Sequence, residues 1–210
     1  MVLMRTQKIF FIVLCLLCCL VGNIGAEGAV RLGIVKFVSK TNDVTEEQTA
    51  AITDTLTRLL RSSRGIEIID REQMNEIGRK NRLNVSSNII DARRMTEWGL
   101  LAGVQYMVVG AITEVSFKFK TTPRERGTDH QYDGSVILDT RVIDVATGQV
   151  VLSVAKSGYA DFSYEVRGSS LKHAKKSMEE NRKGRQDVFD RAASLAARRI
   201  ADEIYEYLVR

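Results

Sequence analysis

Apolar and polar residues alternate most regularly between residues 134 and 156, and this stretch organises the rest of the chain. Side chains on a strand point to opposite faces with period two. Val136, Leu138 and Val142 therefore share one face, and Ile137, Asp139, Arg141 and Ile143 share the other, mixed one. Val150, Leu152 and Val154 line one face again after a turn at 144–148. In that turn Gly148 can take a positive φ and Asp144 can bond to its own backbone. The spacing predicts a long β-hairpin, a scaffold element with no reactive chemistry of its own.

Upstream, the same reading predicts strands alternating with helices. Residues 30–38 are almost continuously apolar, which predicts one strand covered on both faces. Thr45-Glu46-Glu47-Gln48 fits a capping box that opens a helix. Ile52, Leu56, Leu59 and Leu60 form its apolar stripe, and Arg61, Arg64 and Gly65 mark its end. Residues 66–69 are a short strand. Asp70 caps a second helix with Gln73 at the capping-box position and Met74 and Ile77 inward. Residues 81–87 form a polar connection. Residues 88–101 make a third helix with Ile89, Ala92, Met95 and Trp98 inward, ended by Gly103. A buried strand at 106–112 continues through Val115, Phe117 and Phe119. Residues 123–128, with the sole proline, Pro123, predict a charged loop, and the hairpin begins at Tyr132. Residues 158–166 extend the sheet with Tyr159, Phe162 and Tyr164. Residues 169–187 are highly polar, and a last helix over 186–208 carries Phe189, Ala193, Ala196, Ile200, Ile204 and Leu208 on one stripe. The fold class is α/β: a mixed β-sheet flanked by helices in a three-layer-like arrangement, closed by a long C-terminal helix.

The N-terminus changes the picture. Arg5 and Lys8 precede an unbroken apolar run at 9–21, and small residues follow at 22–26. This is the layout of a secretory signal peptide. The run is shorter than the roughly 20 residues a membrane helix needs, although a retained anchor is the competing reading. The boundaries are 1–26 for the signal peptide and 27–210 for the α/β domain, with cleavage after Ala26. All three cysteines, Cys15, Cys18 and Cys19, fall inside the leader. Cleavage after Ala26 leaves no disulfide, thiolate ligand or cysteine nucleophile. Lipidation of Cys19 is the other processing route. Leu16 stands three positions before it, but Cys18 occupies the place where a lipobox takes a small residue. The formal charge of +5 falls by two with Arg5 and Lys8, a mildly basic balance that does not call for nucleic acid.

Candidate chemistry is sparse. His130 and His173 stand far apart in polar segments and are expected as isolated surface residues rather than metal ligands. The chain has no G-x-x-x-x-G-K phosphate loop, no G-x-G-x-x-G and no G-x-S-x-G elbow. Gly168-Ser169-Ser170 reads as a turn, and Asp139 and Asp144 read as strand-edge and turn residues. Trp98 and the tyrosines read as core or interface. Asn84-Val85-Ser86 is a formal glycosylation sequon, a tripeptide common by chance. No catalytic, cofactor-binding or metal residue is assigned, and the expected class is non-enzymatic. Lys172, Lys175, Lys176, Arg182, Lys183 and Arg185 outnumber Glu179, Glu180 and Asp187. That run is expected to be a solvated helix face, with lipid headgroups or a cell-wall polymer as the alternative contact.

Four stretches taken in order carry a family resemblance. They are Val30-Arg31-Leu32-Gly33-Ile34-Val35-Lys36-Phe37, Ile69-Asp70-Arg71-Glu72-Gln73-Met74, the segment 103–112, and the segment 142–151, with Ser163-Tyr164-Glu165-Val166 after them. Their order and spacing over residues 30–208 resemble the CsgG family, the curli production assembly/transport component family. The resemblance implies an α/β periplasmic domain. In the best-known members a lipid-anchored outer-membrane subunit forms a ring. Each copy gives two β-hairpins to a barrel, and unfolded amyloid subunits leave through a constriction loop. Three features depart from that pattern. The lipobox is poor, and the apolar face of 117–136 is interrupted by Pro123-Arg124-Glu125-Arg126. The segment 172–185 is too charged for a lipid-facing strand, since each midplane Lys or Arg costs roughly 2–4 kcal/mol. The loop at 42–46 has no aromatic plug, so no constriction residue is assigned.

The family also resembles the LpoB type, small outer-membrane lipoproteins that activate peptidoglycan synthases without pore hairpins. Two expectations follow from the resemblance. The first is a non-enzymatic envelope protein for assembly, secretion or transport, on the periplasmic side of the outer membrane. It would be a homo-oligomer meeting other envelope proteins or secreted subunits, with no nucleic-acid partner. The alternative is a periplasmic adaptor that binds an envelope enzyme and forms no pore.

Overall fold

The structure, a computed structural model, describes residues 28–69, 71–81, 92–167 and 171–209. The leader, the Asp70 cap, Asn84, Ile89 and residues 168–170 lie outside the described residues. The elements are β1 (Val30–Ile34), β2 (Val38–Ser39), α1 (Glu46–Arg61), β3 (Ile66–Ile69), α2 (Arg71–Lys80), α3 (Ala92–Ala102), β4 (Tyr106–Arg124), β5 (Gly127–Asp144), β6 (Val150–Arg167) and α4 (Leu171–Val209). The strands join one six-stranded mixed sheet in the order β3-β1-β4-β5-β6, with β2 beside β4. β1 runs parallel to both β3 and β4, whereas β4, β5 and β6 are antiparallel. The α/β class and the long C-terminal helix are those read from the sequence.

Two cores cover the two faces. Leu32, Ile34, Leu56, Leu60, Val108, Ile112, Leu138, Val142, Ile200 and Ile204 belong to the larger one, beneath α1 and α4. Met74, Met95, Trp98, Met107, Val109, Ile143 and Val145 belong to the other, beneath α2 and α3. Trp98 is buried, and its Nε1 donates to the Met74 carbonyl at 2.8 Å, which satisfies its polar edge.

Local signals behave as read. Gln48 N donates to Thr45 Oγ1 at 3.2 Å and Thr45 N donates to Gln48 Oε1 at 2.9 Å, completing the capping box. Gly148 has φ +70°, and Thr147 N donates to Asp144 Oδ1 at 2.8 Å. These bonds from Thr147 hold the Asp144 carboxyl below its ordinary range.

Four expectations are corrected. The single strand at 30–38 is broken over 35–37, where Phe37 N donates to Thr53 Oγ1 of α1 instead of the ladder. Val150 does not share a face with Leu152 and Val154. A bulge sets Val142 opposite Leu152 but Ile143 opposite Val150, leaving Val150 46% exposed. The charged loop at 123–128 is a tight turn, because Pro123 pairs with Thr128 and Arg124 with Gly127. Pro123 fits there because β4 has no flanking strand at that level among the described residues, so no outer ladder needs its missing N–H. Finally, α4 begins at Leu171 rather than 186, and the polar stretch is helical. Its Lys, Arg and Glu residues are good helix formers, and Glu179–Lys183 and Asp187–Arg191 pair one turn apart at 3.7 and 2.8 Å.

Thr140 is fully buried, and its Oγ1 has no hydrogen-bond partner among the described residues. An unpaired buried hydroxyl costs about 1–3 kcal/mol. Thr140→Val keeps the shape and removes the orphan, so it is expected to stabilise the protein by about 1 kcal/mol. Urea unfolding measures this, and an unchanged or lower midpoint would count against the unpaired hydroxyl.

Candidate interaction arm

Beyond residues 113 and 135 the sheet narrows to three strands, β4, β5 and β6, with α4 laid along one face. The register gives each face a composition. The covered face carries the rows Phe117–Gly134–Ala160, Phe119–Tyr132–Phe162 and Thr121–His130–Tyr164. The open face carries Ser116–Ser135–Tyr159, Lys118–Asp133–Asp161 and Thr122–Asp129–Glu165. The arm is thus amphipathic, aromatic on the face toward the helix, where Phe119 on the outer strand stays 49% exposed, and charged on the other side.

Close approach of α4 explains the glycines. A Cβ at Gly158 would collide with the Ala192 carbonyl, one at Gly134 would meet Val188, and one at Gly184 would meet the Phe162 ring. Ala192, Ala193, Ala196 and Ala197 are buried, so the helix backbone can lie close against the sheet. The Arg185 guanidinium stands 4.7 Å over the Phe117 ring and 3.9 Å from Asp43. That ion pair ties the 42–46 loop to α4.

The aromatic rows make direct ring contacts. His130 stacks on Phe119 at 5.5 Å and on Tyr164 at 5.0 Å, and Phe119 meets Tyr132 at 4.6 Å. His130 is therefore a half-buried member of a stack and not the isolated surface residue expected. Period-two alternation through 128–136 was the signal that could have placed it on the apolar face. Burial, and then the Tyr164 phenol, push the Tyr132 hydroxyl up.

On the open face Asp133 and Asp161 stand directly opposite one another, with Lys118 across from Asp133. Desolvation, and then the Asp133 carboxylate, push the Tyr159 hydroxyl up. At the tip Arg167 donates twice to Glu165 at 2.9 Å, and this holds the Glu165 carboxyl down. Arg124 pairs with Asp129. Two of the tip arginines, Arg124 and Arg167, thus have carboxylate partners.

The remaining candidates stay apart. Asp139 lies in the ladder opposite Ala111, while Asp144 holds the turn at the far end of β5. His173 is in α4, with its side chain outside the description. A groove of about 410 Å³ between α1 and α4 is lined by Gln48, Ile52, Thr55, Asp190 and Ser194. Desolvation, and then Asp187, raise the Asp190 carboxyl there. Among the described residues no group of three or more His, Cys, Asp or Glu is placed to hold a metal. No helix among them is long and apolar enough to cross a membrane, which says nothing of strands.

Comparison with known proteins adds three solved structures of distant likeness. The LpoB C-terminal domain from Salmonella enterica aligns at TM-score 0.42 and 13% identity, over 67% of this chain and 90% of its own. A minor lipoprotein from Acinetobacter baumannii aligns at 0.44 and 13%, over 84% and 93%. A PelC dodecamer from Paraburkholderia phytofirmans aligns at 0.39 and 14%, over 86% and 88%. No curated protein matches the sequence. The family model for the curli production assembly/transport component CsgG, in contrast, matches residues 23–210. The chain belongs to the CsgG family.

Proposed function

We propose that the protein is a non-enzymatic, homo-oligomeric component of an envelope assembly or transport device, working on the periplasmic side of the outer membrane. Membership of the CsgG family over residues 23–210 carries this reading. The amphipathic arm supports it. At its distal end β4 and β6 are both edge strands, with Lys118 and Lys120 on one and Asp161 and Glu165 on the other. These opposite charges suit side-chain contact between copies, which needs no pairing of the two strand edges.

The geometry also favours a second reading, an adaptor without a pore. The arm has three strands, and the chain after β6 continues as helix α4. Joining such arms edge to edge would set β6 beside the next copy's β4 running in the same direction. That breaks the alternation of an antiparallel membrane barrel. Fractionation combined with planar-bilayer recording separates the readings. The expected result is protein in the outer-membrane fraction and, for a transport subunit, stepwise conductance. Outer-membrane protein without conductance leaves the adaptor, and recovery in the cytoplasm would refute both.

A further inference from the structure

The outer edge of β6 has a feature the arm's function does not use. β6 spans Val150–Arg167 and is the last strand of the sheet among the described residues. A long unpaired edge invites strand addition, and folded proteins block such edges. Here α4 does so with two arginines. Arg199 Nη1 donates to the Ser157 carbonyl at 2.7 Å, and Arg191 Nη2 donates to the Asp161 carbonyl. The spacings match. Eight residues of helix rise about 12 Å, and four residues of strand rise about 13 Å. Because main-chain groups alternate sides along a strand, the Tyr159 N–H and C=O between the two caps face the same open edge. Arg191 is itself held at 2.8 Å by Asp187.

We propose that Arg191 and Arg199 are edge guards, which keep β6 from pairing with a strand edge of a second copy of this chain. A second copy is the fitting occupant because the other open edge of the arm, distal β4, carries Lys118 and Lys120 on the face where β6 carries Asp161 and Glu165. With the guards in place the acceptors at 157 and 161 are taken. Without them the edge from Ser157 to Glu165 is free. The inference goes beyond the proposed function, since an edge needs guarding in a monomer as much as in a ring.

The test compares the full chain with R191A/R199A, with R191K/R199K and with R191A/R199A/S163P. By the same alternation Ser163 points its N–H to the open edge. Proline there removes a donor that a docking strand would need and leaves the β5–β6 ladder intact. Sedimentation should show R191A/R199A associating beyond the wild-type mass as concentration rises. Amide exchange at Ser157, Tyr159 and Asp161 should slow roughly tenfold or more in the associated form. The lysine pair should restore much of the wild-type behaviour, and S163P should abolish the extra association. Two results would overturn the proposal: a double variant with the wild-type mass at every concentration, or extra association that S163P leaves in place, as unfolding would give.

Discussion

Gly158→Val is expected to destabilise the protein by about 3 kcal/mol or more, although valine is the better strand former. The two effects oppose each other. β-propensity alone would favour valine by up to about 1 kcal/mol. At this position, however, the first carbon of any side chain would overlap the Ala192 carbonyl and crowd Ala196 N, 2.9 Å away. These are helix backbone atoms, which cannot swing aside as a side chain can. Relief requires α4 to move away from β6, exposing Ala192, Ala193 and Ala196, now almost fully buried. Ser157→Val, one residue earlier and on the open face, should stay within about 0.5 kcal/mol of wild type. Chemical unfolding of the pair measures the contrast, and similar midpoints would show that α4 does not pack against Gly158 as described.

Phe37→Ala is expected to cost about 3–5 kcal/mol. Phe37 is 1% exposed, and its ring fills the space where Gly110 has no side chain. The break between β1 and β2 places it there. Phe37 N turns to Thr53 Oγ1 at 3.0 Å, and the Thr53 hydroxyl in turn donates to the Thr49 carbonyl at 2.8 Å. The ring therefore joins the sheet to α1. The pairing makes a sharper prediction. Gly110→Ala should be destabilising in the wild type, where its Cβ meets the ring, and near neutral in Phe37→Ala, where the cavity accepts it. Residues in contact are non-additive in this way. A thermodynamic cycle giving additive costs would contradict the contact.

What was legible in the sequence was local. The capping box at Thr45 and Gln48 and the turn at Asp144–Gly148 are decided by neighbouring residues, so spacing alone reveals them. The stripe Phe189, Ala193, Ala196, Ile200 and Ile204 is likewise buried as its period of 3.6 requires. Two of the misreadings depend on partners away from the segment itself. The break at 35–37 needs Thr53, sixteen residues away, and the displacement of Val150 needs a bulge opposite Val142. The early start of α4 was hidden because its sheet-facing positions include Gly184, a residue with no apolar side chain to mark a stripe, packed on Phe162. His130 looked polar in its segment, and only the register with Phe119 and Tyr164 places it in an aromatic stack. No reactive constellation was read from the sequence. The arm is instead an arrangement of faces and edges that exists only once the three strands are paired.

The native mass of the protein, extracted gently from membranes, bears on the proposed role more closely than any variant. A discrete oligomer of many copies is expected, as befits a CsgG-family assembly component. A monomer recovered from the soluble periplasm would refute that role and leave the adaptor reading.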